Sequence, residues 1–312
     1  MVCGAQMESA PAIARPAQRL EGELLAYAGL TAASLGWASA YIAGKLALAE
    51  LTPLTVAASR FAVAAFILLP FGARAVPWRE VRRVAGPLTV LVVCGSVLYP
   101  WVFLLALSRT TATNTSLLIA LNPVFTILLA PLIGEHLTRQ RVAGVALALL
   151  GAATVITKGD LRHVTTLSLN SGDLFAVTAA AIWSVFNLAS RHVVLRLTPA
   201  LTNSLVYVVG GIALFGLSVP EHPWAQLQAA SASALGGVVI MALGSSVLSG
   251  QFFLIGVRTL GVSRTVVFIY LMPVLTAVLS VLLLGEHFES AQAIGGAAVL
   301  AGVYWSTRAR TG

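Results

Sequence analysis

Acidic side chains are scarce in this chain: 11 Asp and Glu stand against 19 Lys and Arg in 312 residues. Charged residues of both signs make up only 10%, where a soluble domain carries about a quarter. A chain so poor in charge lacks the polar surface that keeps a globular domain in water. Cysteine is rarer still. Cys3 lies in a polar tail and Cys94 in an apolar run, which excludes a disulfide framework, and no Cys/His cluster offers a metal site. The histidines, His136, His163, His192, His222 and His287, fall in loops or at the ends of apolar runs. No two aspartates share a run. An intramembrane enzyme, which needs a Ser/His or paired-Asp constellation at depth, finds no support. Rings of like charge, which a channel uses, are missing too. No G-x-x-x-x-G-K-[ST] occurs, so ATP-driven pumping by this chain alone is excluded. No cofactor and no metal are expected.

What the chain has is apolar length. Hydrophobic residues make up 58%, and the mean hydropathy is +0.91. A helix that spans a bilayer needs roughly 20 apolar residues. Runs of that order follow closely at about 24–46, 54–72, 86–107, 112–133, 140–157, 173–192, 199–219, 232–257, 262–284 and 290–307. Buried strands of a soluble α/β enzyme would be far shorter. The expected fold class is therefore an all-α polytopic membrane protein of ten transmembrane helices. Residues 1–23 read as a polar tail without the pattern of a cleaved signal peptide.

The net charge of +8 fits topology rather than nucleic acid. With the N-terminus in the cytoplasm, Arg79, Arg82, Arg83, Arg139, Arg141, Arg196, Arg258 and Arg308 all fall inside. Arg109, Lys158 and Arg162 fall outside. The basic residues are spread over several loops and form no single stripe, so no nucleic-acid partner is expected. The location read from this bias is the cell inner membrane, multi-pass, with both termini cytoplasmic and residues 308–312 as the second tail.

An internal repeat sets the architecture. Leu121-Asn122-Pro123-Val124 recurs as Leu271-Met272-Pro273-Val274, and Gly134-Glu135-His136 as Gly285-Glu286-His287. Trp37, Lys45 and Leu51-Thr52-Pro53 recur as Trp183, Arg191 and Leu197-Thr198-Pro199. Ser96-Val97-Leu98 and Phe103 recur as Ser246-Val247-Leu248 and Phe253, and Gly144 and Gly151 as Gly295 and Gly302. The matches run through five spans of each half, 24–157 and 173–307, with a periplasmic linker at 158–172. Five is odd, so the second copy enters from the opposite side. This makes two five-helix inverted-topology repeats, a common build of secondary transporters.

The Trp with a basic residue eight positions on, the mid-span Pro, the Gly-Glu-His turn and the Gly-rich last span resemble the EamA-type unit of the drug/metabolite transporter superfamily. The resemblance implies a central cavity between two such units, a small-molecule substrate taken across a lipid bilayer, often by export, and in some members a homodimer through the last helices. Export of amino acids or related amphiphiles is the leading expectation. Uptake, or efflux of drugs and cations by the same fold, are its alternatives.

Candidate site residues follow from polarity inside apolar runs. Trp37 and Tyr41, four apart, share a helix face, as do Trp183 and Asn187. With Tyr99, Gln251 and Tyr270 they offer ring faces and amides for an amphipathic cavity, although Tyr and Trp near span ends also serve as interface anchors. Asn122 is polar at mid-depth where its repeat partner is Met272. Arg60 lies inside the second run. It either binds an anionic group of the substrate, such as a carboxylate, or reaches the outer interface towards Glu50. Pro123 and Pro273 kink their helices, as hinges or as static bends. Lys45 with Glu286, and Arg191 with Glu135, are candidate gate ion pairs at opposite faces. The plainer reading has each Glu support a helix N-terminus and each cation snorkel to its interface.

Overall fold

The structure, a computed structural model, describes residues 16–72, 76–129, 138–159, 170–261 and 265–308. Among the described residues every regular element is a helix. The first half contains α1 (Pro16–Leu48), α2 (Pro53–Gly72), the short α3 (Trp78–Arg83) and the long rod α4 (Ala85–Arg109). It continues through α5 (Ala112–Ile119), α6 (Asn122–Leu129) and α7 (Arg139–Ile156). The second half contains α8 (Ser171–Val194), α9 (Pro199–Ser218), α10 (Pro223–Ala229) and the rod α11 (Ala232–Leu260). A 3-10 segment (Val266–Tyr270) then leads into α12 (Leu271–Leu284) and α13 (Ser290–Arg308).

Among the described residues six stretches are both long and apolar enough to cross a bilayer: Pro53–Pro70, Ala85–Arg109, Ala112–Leu129, Ser171–Val194, Pro199–Glu221 and Ala232–Leu260. Val142–Val155 and Phe268–Leu284 are apolar but shorter. α1 and α13, at 33 and 19 residues, have the length, but small and polar residues dilute them. The chain is an α-helical, multi-pass membrane protein. Phe66, Ile212 and Leu282 are exposed on its flanks, as helices facing lipid require.

The repeated motifs are helix boundaries. In Leu-Thr-Pro the threonine caps a helix and the proline opens it. The Thr52 Oγ1 accepts from the Thr55 N–H at 3.4 Å, and the Thr198 Oγ1 from the Leu201 N–H at 3.3 Å. Proline suits the first helical position because an N–H there has no partner to lose. In Gly-Glu-His, Gly285 closes α12 with φ 66°, a conformation that side chains resist. The first copy of that turn, with Glu135 and His136, lies outside the described residues.

The two prolines expected to kink their helices both lie close to a helix start. Ala120 and Leu121 form a turn between α5 and α6, and Pro123 sits in the first turn of α6. Pro273 is the third residue of α12, just after the 3-10 segment. Both prolines restart a helix where a missing N–H costs little.

The two rods carry a feature that hydropathy does not show. Leu91–Leu98 of α4 and Met241–Ser249 of α11 are π-helical, at matching places in the repeat. Such segments are rare and short-lived in sequence unless something outside the helix holds them. Here serines tie them to neighbours. Ser96 Oγ donates to the Val206 carbonyl at 2.9 Å, and Ser249 Oγ to the Ala33 carbonyl at 2.9 Å.

Packing is reciprocal between halves. α1 lies against α11, while α8 lies against α4. α2 pairs with α9, and α7 with α13. The last pair meets through glycine: a Cβ on Gly151 would stand 2.5 Å from the Gly295 carbonyl oxygen, and one on Gly302 2.5 Å from that of Gly144. The small residues of the last spans are thus used inside the chain.

Candidate functional site

A cavity of about 60 Å³ lies where α1, α2, α4, α6, α8, α9 and α11 converge. It has room for a few water molecules. Helices of both halves build it, so it lies where the halves meet. Of the residues picked out by sequence, Trp37, Tyr41, Arg60, Tyr99, Asn122 and Trp183 line it. Asn187, Gln251 and Tyr270 do not.

One wall is aromatic. The repeat partners Trp37 and Trp183 meet edge to face, with ring centroids 6.4 Å apart. Phe253 stands 5.5 Å from Trp37, and Tyr99 and Phe186 stand 4.5 and 4.4 Å from Trp183. Tyr41 meets Phe103 at 5.1 Å, again edge to face. Offset and edge contacts of this kind hold rings rigidly and make the wall apolar.

The other wall is polar. Arg60 is the eighth residue of α2, about 10 Å along the helix. It is 5% exposed, so it does not reach an interface. Its guanidinium carbon lies 4.8 Å from the Phe61 ring, which stacks on Tyr207 at 4.9 Å. Among the described residues no carboxylate pairs with it. Glu50 is engaged elsewhere, accepting from the Ser231 N–H at 2.7 Å and hydroxyl at 2.6 Å. The Ser231 hydroxyl and N–H hold the Glu50 carboxyl below the usual range. An arginine at the centre of a spanning helix costs ~3 kcal/mol on insertion scales, so a cation left without a partner here calls for an account.

Asn122 is 1% exposed and its Oδ1 accepts from Asn187 Nδ2 at 3.0 Å. Asn187 stands behind the cavity and aims Asn122 rather than lining the wall. Among the lining residues that sequence reasoning passed over are Asn203 and Tyr207 of α9. They are four apart, the same spacing that singled out Trp37 with Tyr41, and that signal was available. Tyr207 Oη donates to the Ser246 carbonyl in the π segment at 2.9 Å. Five lining residues hold a buried side-chain atom with no hydrogen-bond partner: Tyr41 Oη, Arg60 Nε, Asn122 Nδ2, Asn203 Nδ2 and Ser246 Oγ. Each such group costs ~1–3 kcal/mol.

The gate residues fall at the two ends of the bundle. Lys45 and Glu286 converge as expected, but not on each other. Lys45 Nζ donates to the Thr110 carbonyl at 2.6 Å. Glu286 accepts from the N–H groups of Ala112 and Thr113 at 2.8 and 3.3 Å, capping α5 rather than the helix that follows it. Both side chains therefore hold the link between α4 and α5. The link is held a third time, the Thr110 hydroxyl donating to buried Asp173 at 2.7 Å. At the opposite end Arg191 is exposed, and its expected partner Glu135 lies outside the described residues. The described ion pairs at that end join Glu80 to Arg196 at 3.0 Å and to Arg83. Hydrogen bonding from Arg196 keeps the Glu80 carboxyl below its ordinary value.

A sequence profile of the EamA-like transporter family matches residues 24–157 and again 170–308. An uncharacterized transporter of Bacillus subtilis is 29% identical over 255 residues, covering 81% of this chain and 83% of the relative. A probable terminal-alkyne amino-acid exporter of Streptantibioticus cattleyicolor is 29% identical over 292 residues, covering 88% and 91%. A solved crystal structure superposes with a TM-score of 0.58 at 21% identity, over 92% of this chain and 96% of the other, and so shares the fold.

Proposed function

The chain belongs to the EamA-like transporter family, and from that premise we propose that it exports a small amphiphilic metabolite, an amino acid or a related compound, across the inner membrane by alternating access. Ten helices do the work, in two oppositely inserted five-helix units, 24–157 and 173–307, with both termini in the cytoplasm. Export and the amino-acid class are favoured by the Streptantibioticus relative, a probable terminal-alkyne amino-acid exporter. The basic residues Arg79, Arg82, Arg83 and Arg196 crowd the end of the bundle opposite Lys45, which favours that end as cytoplasmic.

The observation that carries the proposal is the cavity itself: two indoles related by the repeat, facing buried amides and a cation, at the junction of the halves. At about 60 Å³ it is too small for a metabolite, so binding requires the helices around it to part. The breaks before Pro123 and Pro273 and the two π segments are where they give way. Lys45 and Glu286 then act together by pinning residues 110–113 at one mouth, and release of that link opens it.

The test is transport by the purified protein in liposomes, with labelled aromatic and aliphatic amino acids and their derivatives, under imposed solute and pH gradients. Movement of one such class, saturable and lost in Trp37→Ala with Trp183→Ala, is the expected result. If no solute moves under any gradient while the protein stays folded, the proposal fails.

A further inference from the structure

We propose that the cargo is an anion: a small carboxylate with an aromatic or branched apolar body and no compensating ammonium group. This rests on the export reading and narrows its substrate class, from amino acids and related compounds to the related acids that lack the ammonium group.

The argument begins with Arg60. Its side chain is buried to 5% exposure, it borders the cavity, and among the described residues it donates no hydrogen bond and forms no ion pair. A structural arginine at such depth spends its donors on carbonyls or on a carboxylate. This one has the face of the Phe61 ring at 4.8 Å, with Tyr99 and Tyr207 within electrostatic reach but in no hydrogen bond to it. The rings tolerate the cation but leave its in-plane fork of N–H donors free, and that fork matches a carboxylate.

The rest of the wall agrees in sign. No Asp or Glu is among the described residues that line the cavity. Two further unpartnered groups there, Asn122 Nδ2 and Asn203 Nδ2, are amide donors, on side chains 1% and 3% exposed. A cationic solute would bring a second positive charge beside Arg60 into a site of low dielectric and find no carboxylate to meet it. An anion neutralises the site and takes up its free donors. A zwitterion falls between: its carboxylate is met, and its ammonium has only ring faces. The indoles of Trp37 and Trp183 receive the apolar body.

The test compares four solutes with one body and four charges: 3-phenylpropanoate, phenylalanine, 2-phenylethylamine and 2-phenylethanol. Binding to the purified full chain is read by quenching of tryptophan fluorescence. Competition against the best-transported solute in liposomes is the second readout. The expected order places the acid at least tenfold tighter than the amine and the alcohol, with phenylalanine between. Arg60→Gln should weaken the acid by about tenfold to a hundredfold and leave the alcohol within twofold, while Arg60→Lys keeps part of the gain. The charge series on the unaltered protein decides the question even where the variants do not fold. If the amine binds as tightly as the acid, the anion proposal is overturned and export stands. If all four fail to bind and nothing is transported, the export reading falls with it.

Discussion

Residue by residue, the cavity is made of side chains that no membrane helix needs for its own sake. Trp37 and Trp183 hold each other by edge-to-face contact, so each also fixes its partner. Replacing either by alanine should raise the KM for transport about tenfold with a smaller change in kcat, measured in liposomes, because ring contact is lost from the bound solute more than from the moving parts. Lys45 and Glu286 give a sharper case. They share a substrate, the link at 110–113, and not a bond. The charge swap Lys45→Glu with Glu286→Lys should therefore fail to restore activity lost in the single variants. Glu286→Gln should lower stability by about 1 kcal/mol through the weakened cap of α5, read as thermal unfolding in detergent. A swap that recovers transport would mean the two charges meet in some other state of the cycle.

Acid titration belongs to the same scale. Glu50 is held below its usual range by Ser231, so the contact is intact above the carboxylate's ordinary pKa and is lost as pH falls through the lowered value. Amide exchange at Ser231 should be unchanged from pH 8 to pH 6, once corrected for intrinsic rates, and should rise only in acid.

Among elements, the pairs that pack through glycine are the most sensitive. A side chain at Gly151 meets the Gly295 carbonyl on α13 and cannot be accommodated by a flexible neighbour. Gly151→Leu should destabilise the protein by ~1–3 kcal/mol or more and lower the yield of monodisperse protein, whereas the same change at Gly236, where nothing stands near the added carbon, should be silent. The π segments are the other element-scale feature. Their serines bond to α1 and α9, which join each rod to the opposite half. Sequence gave no warning of them, because Leu91–Leu98 and Met241–Ser249 have the same apolar composition as any spanning α-helix. One cause is visible in the first half, where Pro100 lacks an N–H just past the segment. The second half has Gly250 there, so bonding to the neighbour is what the two have in common.

At the scale of the whole molecule, helices of both family-matching halves line one cavity, and the proposal is that the halves are oppositely inserted with the arginine-rich end in the cytoplasm. Single cysteines placed in a Cys-less background should report it. Ser231→Cys should react with an impermeant maleimide added outside intact cells, and Arg196→Cys only after the membrane is opened. Labelling of both from outside would refute the inverted arrangement with cytoplasmic termini.

Much of this was legible in the linear sequence. Apolar run lengths exceed any soluble helix pattern, so membrane residence needs no coordinates. The repeat is written in Leu-Thr-Pro, Gly-Glu-His and the paired tryptophans, because caps, left-handed turns and ring contacts each demand particular residues. The sequence alone also picked out Trp37, Tyr41, Arg60, Tyr99, Asn122 and Trp183. Tertiary structure decided the rest. It brought Asn203 and Tyr207 to the wall, moved Asn187 behind it, put Pro123 and Pro273 close to helix starts, and set Lys45 and Glu286 side by side on one link without a direct hydrogen bond between them. Those outcomes depend on which face of each helix meets which neighbour, and polarity within a run does not carry that information. Arg60 shows the division best: its place in an apolar run could be read from the chain, but only packing shows that no carboxylate among the described residues pairs with its charge.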